Sequence, residues 1–493
     1  MKILMCTSEA VPFAKTGGLA DMAAALSLVL AKLGHDVRVV MPRYYSIDRS
    51  HLTRIEGAMG VPMGGMEEWC AVYRAELPGS PEKNPVQVYF IDHEIYFGRD
   101  GVYGVPQEPD FLDNPRRFSF FSRSVFQLCR KIEWIPDILH AHDWPAAMVP
   151  VFLKYLESGA FPKTSSVLTI HNLGYQGIYA RDNFGYTGLP AWCFYEAGFE
   201  DGAMMNILKA GLCCAGKLNT VSPGYAKETM TREQGFRLDG VLRSRAEDYS
   251  GILNGIDAKI WNPRRDKSIP KPYGENDMSG KAAAKEALQE EFGLDIDPDV
   301  PVIGMITRMT SQKGIGELFG PAYGSAYSIC RDMALQLVIL GTGESWCEHE
   351  VRSLSSRLPN FRGRIGYSEE LSHLIEAGSD FFLMPSRYEP CGLNQMYSLN
   401  YGTPPIVRNT GGLADTVENY DQESGEGTGF IFNDLTPQAI YNTAGWAVWA
   451  YYNKREQIEA MRLRGMKKKF SWEGPAKKYE ELYRAALAGV AGV

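Results

Sequence analysis

At 493 residues the chain has room for two α/β domains of roughly 250 residues or three smaller ones, each with ample core. With 45% apolar and 22% charged residues, and with 50 glycines and 28 prolines, it is neither disordered nor collagen-like. A net charge of −8 lacks the positive field of a nucleic-acid binder, so no nucleic-acid partner is expected. Nine scattered cysteines without C-x-x-C spacing suggest a reducing, cytoplasmic setting rather than a disulfide framework. No apolar run reaches the length of a membrane span, and residues 1–12 do not read as a signal peptide, so no membrane partner is expected.

In chain order, residues 3–7 read as a buried strand. Leu19, Met22, Leu26, Leu30 and Leu33 then form one apolar helix stripe, stopped by Gly34, and residues 37–41 form a second strand. Strand, helix and strand in this order signal a parallel, doubly wound sheet, whose ligands bind at the carboxyl ends of the strands. Further strands are expected at 138–141, 167–170 and 218–221, each followed by polar or turn residues that converge on one rim. The proline-rich, basic stretch around 254–273 reads as a connector.

The pattern then restarts. A charged helix over 281–292 precedes strands at 302–307 and 335–340, with Gly341-Thr342-Gly343 read as a turn, and further strands at 380–384 and 405–408. The expected organisation is one α/β domain over 1–255, a second over 256–465, and a tail over 466–493. Trp472, Tyr479, Leu482 and Tyr483 give that tail an aromatic helix face that packs back on the first domain. The run Lys467-Lys468-Lys469 is most simply a solvated patch.

One hexapeptide occurs twice. Thr16-Gly17-Gly18-Leu19-Ala20-Asp21 recurs as Thr410-Gly411-Gly412-Leu413-Ala414-Asp415, each copy between a strand and a helix. Paired glycines let backbone amides approach an anion at a helix start, although both copies could equally be tight turns. Lys15 precedes the first copy, and Arg308 and Lys313 fall in the expected loop after the first strand of the second half. If these three cations face one interdomain cleft, they suit a diphosphate, with charge-assisted hydrogen bonds of about 1.5–3 kcal/mol each; otherwise each is a surface charge. Pro385-Ser386-Arg387-Tyr388-Glu389-Pro390-Cys391-Gly392-Leu393 follows an apolar strand and precedes a helix over 393–400. Glu389 can accept sugar hydroxyls there while the Gly392 and Leu393 amides take phosphate, or it can serve as a cap.

Metal chemistry is weak in this sequence. His140 and His142 are expected on opposite faces of their strand, unable to share an ion, and Asp295-Ile296-Asp297 reads as a loop on the wrong side of the sheet. Cys391 has no histidine near it in sequence, which favours a site-lining role over a reactive thiol.

Taken in order, Lys15 to Leu19, His140-Ala141-His142-Asp143-Trp144, His171-Asn172-Leu173, Leu253 to Asp257, Arg308 to Gly314, Glu389 to Leu393 and the second Thr-Gly-Gly-Leu resemble bacterial glycogen synthases and plant starch synthases, glycosyltransferase family 5. The resemblance runs from residue 1 to the Trp472 and Tyr479 tail. It implies a GT-B fold of two Rossmann-like domains facing a cleft, and a cytoplasmic bacterial enzyme of glycogen biosynthesis. It further implies ADP-glucose as donor, an α-1,4-glucan (glycogen) as acceptor, retention at the anomeric carbon, and no metal or other cofactor.

Carried over by residue, it makes Glu389, His171, Asp143, Arg308 and Lys313 catalytic, with Arg308 and Lys313 clamping the diphosphate and His171 beside the transferred glucose. Lys15, Gly17, Gly18, Asn254, Cys391, Gly392, Leu393, Thr410 and Gly411 become donor contacts, Tyr367 lies by the adenine, and Glu9 and Asn172 lie on the acceptor side. Pro145, Ala147 and Asn394 depart from residues common in the family (His, Gly and Thr), which bears on acceptor geometry. No second carboxylate near Glu389 offers itself for a double displacement. Front-face attack, with closure of the two halves excluding water, is therefore the expected mechanism. A nucleotide-sugar epimerase and a non-catalytic glucan-binding protein are the alternatives.

Overall fold

A computed structural model of the chain describes residues 1–321 and 324–491. They divide into two compact units, one formed by Met1–Gly255 with the segment from Trp472 onward, the other by Ile256–Ser471.

The first unit is built on a ten-stranded sheet. Seven strands run parallel: β1 (Lys2–Cys6), β2 (Asp36–Pro42), β3 (Gln87–Asp92), β4 (Ile138–His142), β5 (Ser165–Ile170), β6 (Lys217–Thr220) and β7 (Tyr249–Gly251). Their spatial order is β7-β6-β5-β4-β1-β2-β3. Chain direction across the sheet therefore reverses between β1 and β4, and the crevice at such a switch point is where doubly wound sheets bind ligands. Ile3 to Cys6 are wholly buried because helices cover both faces of a parallel sheet. Helix α1 (Gly18–Lys32) buries Leu19, Met22, Leu26 and Leu30 and ends where Gly34 turns left-handed at φ +92°. Truncating Leu26 or Leu30 to alanine would cost about 2–5 kcal/mol.

Beyond β3 the sheet continues antiparallel through Met66–Glu76, which pairs with Met59–Met63 across Gly64-Gly65. This hairpin and β3 go unrecognised in the sequence, although a Gly-Gly pair between two runs is a hairpin signal. The C-terminal helix Glu473–Ala491 lies against β5, β6 and α1, with Trp472, Tyr479 and Tyr483 buried.

The second unit carries a six-stranded parallel sheet: β8 (Val302–Met309), β9 (Gln336–Gly343), β10 (Phe361–Ile365), β11 (Phe381–Met384), β12 (Pro405–Arg408) and β13 (Phe430–Phe432). The order β10-β9-β8-β11-β12-β13 places its switch point between β8 and β11. Side chains alternate between two cores. Ile303, Met305, Leu337, Ile339, Phe381, Leu383 and Ile406 fill one, and Val302, Val338, Leu340, Phe382, Met384 and Val407 fill the other, along with Leu288 and Phe292 of α2 (Ser279–Phe292).

Three expectations need correction. His140 and His142 do not point apart: a period of two puts i and i+2 on one face, and their ring centroids lie 4.1 Å apart. Arg308 belongs to β8 rather than to the loop beyond it. Gly341-Thr342-Gly343 is not a turn but the end of β9, in register with Thr307 to Met309. Cβ atoms at 341 and 343 would come within 2.0 Å of the Thr307 carbonyl oxygen and 2.2 Å of that of Met309, so close strand approach is the reason for both glycines.

Candidate active site

At the first unit's switch point, β1 leads into the loop that ends at the first Thr-Gly-Gly-Leu copy. Glu9, buried in this loop, accepts hydrogen bonds from the amide of Thr16, its hydroxyl (2.7 Å), the Gly17 amide (3.3 Å) and the Tyr103 hydroxyl (2.6 Å). Burial and the neighbouring carboxylate hold the Tyr103 phenol protonated, so it donates to Glu9 while Ser8 Oγ completes its shell at 2.7 Å. The anion held by these amides is thus the chain's own. Lys15 is half exposed and pairs with Asp21 at 2.8 Å.

On the other side of the switch point, β4 ends at His142 and the chain turns through Asp143 at φ +54°. This conformation costs a side-chain-bearing residue about 1–2 kcal/mol, and aspartate tolerates it through local hydrogen bonding. Asp143 Oδ1 accepts the amides of His171 (2.7 Å) and Asn172 (3.4 Å), fastening the end of β5 to the start of the next helical turn. Burial raises its pKa to about 7, against the lowering effect of those two amides. Burial also pushes His171 down to about 3, so it works as a neutral imidazole. Asn172 Oδ1 accepts the Gly174 amide at 2.9 Å. Asn254 is buried, and its Oδ1 has no partner among the described residues.

In the second unit the loops after β8 and β11 interlock. Gly314, at φ +70°, comes so close to Pro385 that a Cβ would sit 2.0 Å from its carbonyl oxygen, and the Arg387 amide donates to the Gln312 carbonyl at 2.8 Å. This brings Lys313 Nζ to 2.7 Å from Glu389 Oε2, which also accepts from Ser386 Oγ at 2.8 Å. Glu389 is only 6% exposed, so the pair spans the switch point in low-dielectric surroundings. Arg308, within β8 itself, is exposed.

Gly392 adopts φ +68°, and Leu393 caps the short helix α3 (Asn394–Asn400), which Asn394 ties to β8 through the Ile306 carbonyl at 3.0 Å. Cys391 and Thr410 are buried, and Gly411, at φ +45°, opens helix α4 (Gly411–Thr416). The Gly412 amide donates to the Glu389 carbonyl at 3.0 Å, so the second Thr-Gly-Gly-Leu copy lies on the Glu389 segment. Tyr367 is 76% exposed, at the rim of a depression of about 360 Å³ bordered by Gly366, Ser368 and Leu371.

Each unit therefore gathers its own expected residues: Glu9, Lys15 and Gly17 with Asp143, His171 and Asn172 around one switch point, and Arg308, Lys313, Glu389 and Gly392 around the other. Tyr367 lies apart from the Glu389 cluster, on the loop after β10. Two functional residues go unnoticed in the sequence: Tyr103, for which no local signal exists, and Ser386, three positions before Glu389, whose hydroxyl donates to that carboxylate. Among the described residues, no group of three or more His, Cys, Asp or Glu side chains could hold a metal ion, and no helix is long and apolar enough to cross a membrane.

Residues 2–244 match the starch synthase catalytic domain family, and residues 288–458 match glycosyl transferases group 1. The chain is 60% identical over 488 residues to the glycogen synthase of Treponema denticola, covering 99% of each, and 46% identical over 495 residues to glycogen synthase 1 of Geobacter metallireducens, covering 99% of this chain and 96% of the other. The catalytic domain of starch synthase IV from Arabidopsis thaliana, bound to ADP and acarbose, superposes with a TM-score of 0.88 at 30% identity over 99% of both chains. Sucrose-phosphate synthase from Thermosynechococcus elongatus, at 16% identity and a TM-score of 0.61, shares the fold alone. Neither an epimerase nor a non-catalytic glucan binder finds support among these relatives. With two parallel sheets wound about separate switch points and this likeness over its whole length, the chain belongs to the glycogen and starch synthase family of glucosyltransferases, with the GT-B fold.

Proposed function

We propose that the protein transfers glucose from ADP-glucose to the non-reducing 4-hydroxyl of an α-1,4-glucan with retention of configuration, in the cytoplasm and without a metal. The observation that carries this reading is the Lys313–Glu389 contact at the second switch point. It sets a cation and a buried carboxylate side by side, as binding a phosphate and a sugar hydroxyl at adjacent atoms requires. Nine free cysteines suit a reducing compartment.

In this reading Arg308 and Lys313 bind the diphosphate, Lys15 contacts the nucleotide portion, and Tyr367 covers the adenine. Glu389 accepts hydroxyls of the glucose ring; His171, Asp143 and Asn254 line its pocket, and Glu9 and Asn172 serve the acceptor side. Cys391, Gly392, Leu393, Thr410 and Gly411 shape the donor-binding wall, and Gly17 and Gly18 keep the first turn slim. The bond from C1 to the phosphate oxygen breaks as the acceptor O4 attacks the same face. The departing oxygen takes the 4-hydroxyl proton, and the cations stabilise its developing charge.

The test is glucose incorporation into glycogen from ADP-glucose and from UDP-glucose, each with and without a chelator. Transfer from ADP-glucose that survives chelation is expected. Transfer from the uridine donor alone overturns the donor assignment, and loss on chelation overturns the metal-free one. Lys313→Ala and Glu389→Gln should each lower kcat/KM by about 100- to 1000-fold, the scale of one lost transition-state donor.

A further inference from the structure

Beneath His171 lies a buried polar chain that the proposed chemistry does not use. The Asn219 amide donates to the Tyr479 hydroxyl (3.0 Å) and to the Thr220 carbonyl, which turns its Oδ1 toward Thr169 Oγ1 at 2.6 Å. The single Thr169 proton goes to Asn219, so Thr169 must accept from His140 Nε2, 2.6 Å away. Burial pushes His140 down to about 3, so the ring is neutral, and its Nδ1 accepts the Tyr483 hydroxyl proton at 2.8 Å. The tautomer of His140 is thereby fixed from the C-terminal helix to the sheet, and its ring packs 4.1 Å from that of His142.

His142 is wholly buried and, like His140, neutral. Its Nδ1 lies 3.2 Å from His171 Nε2, while its Nε2 has no partner among the described residues. One of these two nitrogens carries the proton. Placing it on Nε2 would bury an N–H with nothing to receive it, a costlier state than a bare lone pair. The proton therefore sits on Nδ1 and points at His171 Nε2. As a neutral ring that accepts at Nε2, His171 must carry its own proton on Nδ1, which no described residue bonds.

We propose that His142 is a positioning residue that fixes the tautomer of His171, so that His171 offers Nδ1–H as a hydrogen-bond donor to the sugar substrate. The assignment rests on the reading that His171 meets the sugar. Asparagine places an N–H close to where histidine Nδ1–H lies, whereas leucine supplies none. His142→Asn should keep kcat within about threefold, and His142→Leu should lower it by about 10- to 100-fold, as when the partner that orients a functional histidine is removed. Nitrogen-15 NMR of histidine-labelled wild-type enzyme should show His171 protonated at Nδ1, a readout that needs no variant to fold.

Observation of the Nε2–H form of His171, or loss of activity that is equal in the asparagine and leucine variants, overturns the proposal. His171→Ala with undiminished kcat overturns the sugar-contact reading, and the proposal falls with it. An inactive His171→Ala beside a fully active His142→Leu overturns positioning alone.

Discussion

The same six residues, Thr-Gly-Gly-Leu-Ala-Asp, are put to two different physical uses. In the second copy the glycines answer to the fold: a Cβ on Gly412 would lie 1.9 Å from the Cys391 carbonyl oxygen, and Gly411 sits at φ +45°. In the first copy, Gly17 has an extended backbone at φ −159° that any residue adopts, and a Cβ there would meet nothing within 4 Å. Its amide instead donates to the carboxylate of Glu9. Where packing demands no glycine, the open space above the turn is itself the feature to explain, and close approach of a bound group is the explanation the proposed function supplies.

The sharpest way to break this contrast is a pair of alanines. Gly412→Ala forces backbone apart at Cys391 and should destabilise the protein by about 3 kcal/mol or more, as overpacking against an immovable carbonyl does. Gly17→Ala should leave stability within about 0.5 kcal/mol, since neither conformation nor space opposes it, while lowering kcat/KM. Denaturant unfolding and initial rates on both variants decide the matter; a loss of stability for Gly17→Ala as large as that for Gly412→Ala would show that packing demands a glycine at 17 as well.

Next in size is Glu9. Replacing it with alanine removes the acceptor of the Thr16 and Gly17 amides and leaves the buried Tyr103 hydroxyl with Ser8 Oγ alone, a loss of about 1–3 kcal/mol. Glu9→Gln, which keeps one acceptor oxygen, should recover part of the loss. A stable Glu9→Ala would mean that the amides find water, and that the carboxylate is not what shapes the turn.

How far this was readable from the sequence differs by level. The parallel strands and the β1-α1-β2 unit stood out as apolar runs around a leucine stripe, because burial on both faces leaves continuous hydrophobic sequence. Less visible was the edge hairpin Met66–Glu76, whose partly exposed residues dilute that signal. Most of the site's charged residues announced themselves by lying after strands, with Arg308 instead inside the end of one, but their partners did not. Tyr103 reaches Glu9 across 94 positions, and Tyr483 reaches His140 across 343, separations over which no local pattern carries information. The error over His140 and His142 was of another kind, since period-two geometry alone places both rings on one face.

Asp143 tests the carboxylates at the first switch point through pH. Its pKa is raised to about 7 by burial, so wild-type kcat/KM should rise about tenfold per unit as pH climbs toward 7 and then level off, as the carboxylate that receives the His171 and Asn172 amides forms. Asp143→Asn should lack this limb. Stability moves the opposite way: because the folded value lies above the unfolded one, the native state binds more protons between about pH 4 and 7, and this group's contribution declines across that interval. A wild-type thermal midpoint that is flat there, with a limb unchanged in the asparagine variant, would assign the titration to another group.

The smallest effect is expected at Lys15, where the copies differ by one neighbour. Asn409 stands before the second copy and donates to Asn433 Oδ1 at 2.9 Å, a neutral contact, whereas Lys15 pairs with Asp21 with both side chains about a third or more exposed. Such a pair contributes about 1 kcal/mol at most and fades with salt. Lys15→Asn, which gives the first copy the second's neighbour, should therefore leave the unfolding midpoint almost unmoved at 0.15 M salt while raising the donor KM. If the midpoint drops by several degrees and KM stays fixed, the lysine braces α1 rather than meeting the nucleotide. The two copies would then differ in packing alone.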